Sequence, residues 1–375
     1  MPHDENFDPS LSVFEKQPLG GMDRRTILTS LQTKGAETAA ADLAAHRREL
    51  TRANVAIAPD ACVLMLGGSN GILKTVATQL IFAEKTAVFC VHRDSEQLQI
   101  GPFNARAIES AASEVSVYAA FRNEDALRPE TVKQVVEQLK GKFRAVHLID
   151  GIASGSLKRL PENGPCRVRD LDMAFDPVRQ IPDFSTWESV RKPGFVEVGI
   201  ASPQEIERTY KMMGSGAWLW SEALAAEGLL VPGESTVSFA DYDYEPDDPV
   251  YAMGPLAGAK NIQRERMAEI KKRFGARTMR LCYPVMNTTA IGAIPGGCIM
   301  YALTTEFLLR EGKYRNLKQL AFDTMAAWAP GFDGDEVRFD RAYQAALPEF
   351  HDKKRGLSVG NFHDLIGRVV GNPAL

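Results

Sequence analysis

Tyr251 and Lys260 are the side chains best suited to act as a chemical pair, nine positions apart in DYDYEPDDPVYAMGPLAGAKNIQRERMAEI. A tyrosine hydroxyl beside a lysine ammonium can donate a proton or hydrogen bond to an oxygen gaining negative charge, its acidity raised by the cation. The lysine can also hold the ribose of a nucleotide. Nine residues of continuous helix turn through about 900°, which would set the two on opposite faces. They converge only if Tyr251 lies outside the helix. Gly254-Pro255 supplies the break, because proline suits a first helical turn and pushes the residue before it away from helical geometry. The competing reading is a partly buried tyrosine and a surface lysine.

A second constellation is CVLMLGGSNGILKTVATQL, in which Gly67, Gly68, Ser69, Asn70 and Gly71 separate an apolar run from a helix-like one that begins at Ile72. Free backbone N–H groups and the positive end of a helix dipole suit a pyrophosphate there, and glycines let the backbone approach it. The third glycine usual in such loops is replaced by Leu73, and an ordinary strand-turn-helix connection is the alternative. The tip of the next strand, AVFCVHRD, bears on the choice of dinucleotide. An acidic residue there would bond the ribose of NAD, whereas an arginine accepts the 2′-phosphate of NADP. His92 and Arg93 occupy the tip, so NADPH is favoured over NADH, unless Arg93 is merely solvated.

The elements that must carry these groups alternate. Strand-like runs at 61–66, 87–91, 115–120 and 144–149 are separated by helix-like stretches at 72–82, 103–113 and 129–139. Further helices are predicted at 203–213, 216–227, 258–273, 299–310 and 317–328, with strands at 236–240 and 278–284. This is the pattern of an α/β protein, a Rossmann-like doubly wound parallel sheet. Residues 1–60 read as an N-terminal arm with an Ala-rich helix, 61–330 as an enlarged Rossmann-like domain, and 331–375 as a tail packed on it. Residues 151–200 read as an insertion. Its first part is too rich in Pro, Gly and charge to form a buried unit and is expected to run over one sheet face. The arm, the insertion and the helices after Ala290 would together build a substrate cover.

Composition narrows the class. The chain has 375 residues, 45% hydrophobic and 25% charged, with net charge -4, which offers no broad attraction for nucleic acid. The polar, acidic start lacks a signal-peptide pattern, and Pro295 with Gly296-Gly297 interrupts the most apolar stretch, so no membrane span is expected. Five scattered cysteines without a C-x-x-C pair suggest neither disulfides nor a metal site, and a cytoplasmic location fits. His147 reads as a core histidine. Of Trp218 and Trp220, which diverge by about 200° on a helix, at least one is core. QRERMAEIKKR is a solvated helix face.

Taken together, the motifs resemble those of the trans-2-enoyl-CoA reductase and FabV-type enoyl-ACP reductase family, over most of the chain from about Phe14 to Trp328. The resemblance rests on YAMGPLAGAK for the family's Tyr-x8-Lys signature and on GGSNG for its nucleotide loop. It implies Tyr251 as proton donor and Lys260 as cofactor-binding and catalytic support. RNEDA resembles the adenine-contacting Asp-Ala, implying Asp125 and Ala126. GIAS resembles the Ser-Leu-Ala-Ser loop, implying Ile152 and Ala153 beside the cofactor. KMMGSGAWLW is similar to the Met-Gly and paired-Trp stretch, and NTTAIGAIP to the loop that meets the nicotinamide, implying Thr288 and Thr289. Four departures stand out: Leu73 for a glycine, His92 for a glutamate, QPLGG for the N-terminal HPxGC loop, and Asp241 at the site of an upstream active-site tyrosine. A one-residue shift would bring Tyr242 into that tyrosine's place, and Tyr244 is a second substrate-side candidate.

The implied activity is NAD(P)H-dependent reduction of the C2–C3 double bond of a 2-enoyl thioester on CoA or acyl carrier protein, by a monomer or small homo-oligomer. Tyr251, with Tyr242, would stabilise the enolate oxygen, and Lys260 would favour the donor's ionisation. One rival is a reductase of another activated alkene, carbonyl or imine. A second is a catalytically silent nucleotide or acyl-thioester binding protein, suggested by Leu73 and the altered N-terminal loop.

Overall fold

The computed structural model describes residues 57–68, 71–82, 87–92, 118–175, 182–242, 244, 248–288, 290–315, 317–327, 336–338, 348, 356, 364 and 366–372. Seven parallel strands form the central sheet: β1 (Ala61–Leu66), β2 (Ala87–His92), β3 (Ala119–Asn123), β4 (Ala145–Asp150), β7 (Thr236–Tyr242), β8 (Arg277–Tyr283) and β9 (Glu336–Arg338). Their order is β3-β2-β1-β4-β7-β8-β9. The direction of winding reverses between β1 and β4, which opens a crevice beyond their carboxyl ends. Every residue of β1 and β4 is buried, as strands covered on both faces require.

Helices cover both faces. On one side α1 (Gly71–Phe82) and α7 (Leu317–Ala327) pack together over Val63, Met65, Ile149 and Leu281. On the other, α2 (Pro129–Leu139), α4 (Gly216–Ala226) and α5 (Pro255–Phe274) enclose Leu64, Leu148, Val237 and Phe239. Trp220 is fully buried there and donates its indole N–H to the Ala126 carbonyl at 2.8 Å. Trp218 lies instead beside Phe274, under Arg266 and Arg273. His147 is buried and accepts from the Thr236 N–H at 3.3 Å, and burial depresses its pKa to about 4.

The long connection from β4 to β7 departs from expectation. It contains a second, antiparallel sheet of β5 (Cys166–Met173) and β6 (Val190–Val198), followed by α3 (Pro203–Thr209) and a π-helical turn over Tyr210–Gly214. Leu171, Met173, Phe184 and Val190 are buried against α6 (Gly297–Arg310), so this segment has a core of its own. Composition concealed it because β5, CRVRDLDM, interleaves charge with apolar residues: one face packs and the other meets water. Buried Asp170 accepts from the N–H groups of Gly296 and Ile299, which ties the hairpin to the start of α6. Of the two helices expected after Ala290, the second, α7, belongs to the sheet face beside α1. The helix expected at 103–113 lies outside the described residues.

Candidate active site

The motifs converge on the carboxyl edge of the sheet. Gly67 leaves β1 at φ +82°, donates its N–H to the Val91 carbonyl at 2.7 Å, and lies so close to the β4 loop that a methyl on it would stand 3.2 Å from the Gly151 carbonyl oxygen. Only glycine meets both demands. Leu73 is buried in the core, and a methyl on Gly151 would come within 2.3 Å of its Cδ1. Leu73 therefore fills the space that a side chain at position 151 would need. Ile72 is buried as well. Thr288 approaches the start of α1, its Cγ2 3.7 Å from where a methyl on Gly71 would stand.

The Ile152 N–H donates to Asp150 Oδ1 at 3.1 Å, and Ala153 is exposed beyond it. Asp125 follows β3 and closes its own turn by accepting from the Leu127 N–H, with Ala126 buried behind. His92 ends β2. Ser69, Asn70, Arg93 and Thr289 lie outside the described residues.

Tyr251 sits in a turn one helical turn ahead of α5, whose first residue is Pro255, as convergence with Lys260 demands. Asp248 builds that turn: its Oδ1 accepts from the N–H groups of Val250 and Tyr251 at 2.9 and 2.7 Å. At Gly254 a methyl would strike the carbonyl oxygens of Val250 and Lys158 at 2.3 and 2.6 Å, so the turn depends on glycine there. The Tyr251 ring meets Tyr242 edge-on at 4.0 Å between centroids and stacks on Tyr244 at 5.7 Å. Met213, Leu256 and Val250 close around them, with Val168 and Val198 of the hairpin. The Tyr242 hydroxyl is buried with no hydrogen-bond partner among the described residues. It is Tyr242, therefore, and not Asp241, that stands against Tyr251.

Lys260 is neither a surface residue nor bonded to Tyr251. It is buried, and its Nζ donates to the Ala240 carbonyl at 2.8 Å and to Gln263 Oε1 at 3.0 Å, with Asp241 Oδ1 at 3.9 Å. The expectation that the ammonium acidifies the phenol does not hold in this arrangement. Burial, reinforced by the Asp241 charge, pushes the Tyr251 phenol well above its ordinary range, so it stays protonated and able to donate. Burial pushes the Lys260 pKa down, against the opposing pull of Asp241 and Asp150.

Several of these partners escape a reading of the sequence. Asp150, Gln263 and Arg280 belong to no motif, and their roles come from distant chain segments meeting. Asp248 did leave a signal, because Asp before Pro249 favours turn initiation.

Residues 98–313, more than half of the chain, match the family model described as the trans-2-enoyl-CoA reductase catalytic region. The chain belongs to the trans-2-enoyl-CoA reductase family. Among relatives of this reductase-family chain, it is 25% identical over 300 residues to the enoyl-[acyl-carrier-protein] reductase [NADH] 1 of Vibrio vulnificus, covering 77% of this chain and 74% of that one. It is 29% identical over 272 residues to the trans-2-enoyl-CoA reductase of Euglena gracilis, 69% of this chain but only 49% of that protein. In fold it resembles the Treponema denticola trans-2-enoyl-CoA reductase solved with NAD, with TM-score 0.65 at 18% identity over 89% of this chain and 88% of the other. A Serratia marcescens short-chain dehydrogenase/reductase shares the fold at TM-score 0.52 and 14% identity, over 76% and 98% of the two chains.

Proposed function

We propose that the protein reduces the C2–C3 double bond of a 2-enoyl thioester, on CoA or an acyl carrier protein, with a reduced nicotinamide nucleotide. The observation that carries this reading is the buried, unpartnered Tyr242 hydroxyl against the protonated Tyr251, at the sheet edge where Lys260 emerges from α5. An unmatched donor in an apolar enclosure costs on the order of 1–3 kcal/mol, which an incoming acceptor oxygen recovers. The family membership and the activities named for its relatives support the thioester as the source of that oxygen.

The residues present fit a dinucleotide. The start of α1 at Gly71, where a methyl would meet only Thr288 Cγ2 within 4 Å, leaves room and backbone donors for phosphates. Gly67, Gly68, Ser69, Asn70, Gly71 and Ile72 would hold the pyrophosphate, with Ile152, Ala153, Thr288 and Thr289 flanking the nicotinamide and Asp125 and Ala126 the adenine. When bound, the nucleotide supplies the hydride. Tyr251, with Tyr242, hydrogen-bonds the thioester oxygen as enolate charge develops, and Lys260 binds on the cofactor side. Tyr244 and the inner face of the β5–β6 hairpin exclude water from the acyl chain. His92 and Arg93 favour NADPH over NADH, a preference that Arg93→Ala would erase.

Oxidation of the reduced nucleotide followed at 340 nm with crotonyl and longer enoyl thioesters tests the reading. Turnover that falls in Tyr251→Phe while cofactor binding persists supports it. Nucleotide binding without turnover of any enoyl thioester overturns it.

A further inference from the structure

Beside Tyr242 at the end of β7 stands Asp241, one of the buried charges of the site. Asp241 is fully buried; its Oδ2 accepts from Arg280 Nε at 2.7 Å and has Arg264 at 3.7 Å, and its Oδ1 faces the Lys260 ammonium at 3.9 Å. On the other side of that ammonium lies Gln263. Its amide oxygen accepts from Lys260, and its amide nitrogen faces Asp150 Oδ2 at 3.5 Å. This orientation alone matches a cation on one side and a carboxylate on the other. Asp150 in turn accepts from the N–H groups of Ile152, in the loop after β4, and Ala217, at the start of α4.

We propose that Asp241 and Gln263 are the positioning residues of Lys260, holding its ammonium charged and fixed in a buried site while Gln263 links it to the Asp150 loop. The inference deepens the reductase reading, since it rests on Lys260 serving the cofactor side. An ammonium has three donors; Ala240 and Gln263 occupy two, and Asp241 Oδ1 lies 3.9 Å from the same nitrogen. The balance is electrostatic. Desolvation disfavours the charged form, Asp241 and then Asp150 restore it, and Arg280 and Arg264 oppose them. Arg280 is tied outward to Glu336, so Asp241 is not neutralised by it alone.

The experiment titrates Lys260 directly in the full-length protein without nucleotide, by the 15N resonance of its Nζ, identified through its loss in Lys260→Met. Asp241→Asn is expected to lower the pH of deprotonation by about one unit or more, the effect of losing an opposite charge at this range. Gln263→Met, which removes a hydrogen bond to the charged form and leaves all charges in place, is expected to lower it less. The high-pH limb of kcat/KM for enoyl-thioester reduction should move down by the same amounts, which a loss of folding stability would not produce. A resonance that titrates identically in wild type and both variants overturns the proposal. Should Asp241→Asn fail to fold, Gln263→Met decides. Shifted resonances in a protein that reduces no enoyl thioester would leave the positioning intact and remove the reductase reading, while turnover with unmoved resonances would do the reverse.

Discussion

The glycine turn after β1 and the Tyr251–Lys260 segment share one edge of the sheet yet are fixed by different forces. At the turn, backbone approaches backbone: Gly67 lies against the Gly151 carbonyl, and Leu73 fills the space a side chain at 151 would need. No charged side chain of the described residues is needed for that contact. In the second region, Asp150, Asp241 and Lys260 are buried, Arg280 is partly so, and Asp248 pins the tyrosine turn. Close packing tolerates change by exchanging volume between neighbours, whereas a buried charge tolerates change only if its partners change too. Leu73 is thus a matter of packing against Gly151, and Asp241 an electrostatic element shared by Lys260 and Arg280.

Variants that strike one region and spare the other sharpen this contrast. The largest effect is expected for Tyr251→Phe, with kcat falling about 100-fold or more through loss of the donor, and with nucleotide affinity, measured by fluorescence titration, unchanged. Equal losses in both would merge the two regions. Next, Asp241→Ala leaves Lys260 and Arg280 without their shared buried counter-charge and should cost about 3–5 kcal/mol in urea unfolding. A cost near that of a surface substitution would show that the site is hydrated and the ion pairs weak.

A smaller effect depends on pH. Burial raises the Asp150 carboxyl from 3.8 to about 6. Because the folded state favours the neutral form, the stability this adds is full below the unfolded value and is lost as pH rises through the folded one, on the order of 3 kcal/mol in all. The stability of wild type relative to Asp150→Asn should thus increase on going from about pH 7 to about pH 4. A flat difference would place Asp150 in ordinary titration. Smallest is Gly151→Ala, expected to cost about 1–3 kcal/mol by overpacking against Leu73, at a level independent of pH, and to be partly relieved by adding Leu73→Ala. Additive single-variant costs would separate the two positions.

Much of the scaffold was legible from local pattern. Apolar runs such as ACVLML and AVHLI are strands because only strands buried on both faces read that way, and Pro255 marked the start of α5 because its missing N–H is harmless there. The β5–β6 hairpin was not legible, since a half-exposed strand interleaves charge and the pattern resembles a loop. Within the site, the motif carried Tyr251 and Lys260 but not their surroundings. It gave no indication that the phenol's pKa is raised or that Lys260 turns toward Gln263.

The sequence by itself determined the alternating α/β order, the glycine turn at the head of α1 and the Tyr-x8-Lys pair outside and inside a helix, because each is dictated by residues close together in the chain. Only the tertiary structure decided which side chains those residues meet. Gln263 reaches Asp150 from 113 positions away, Arg280 reaches Asp241 from 39, and Leu73 rests on Gly151 across two strands. Electrostatic balance and packing depend on distance in space, and distance in space is set when the sheet winds, not by the order of residues along the chain.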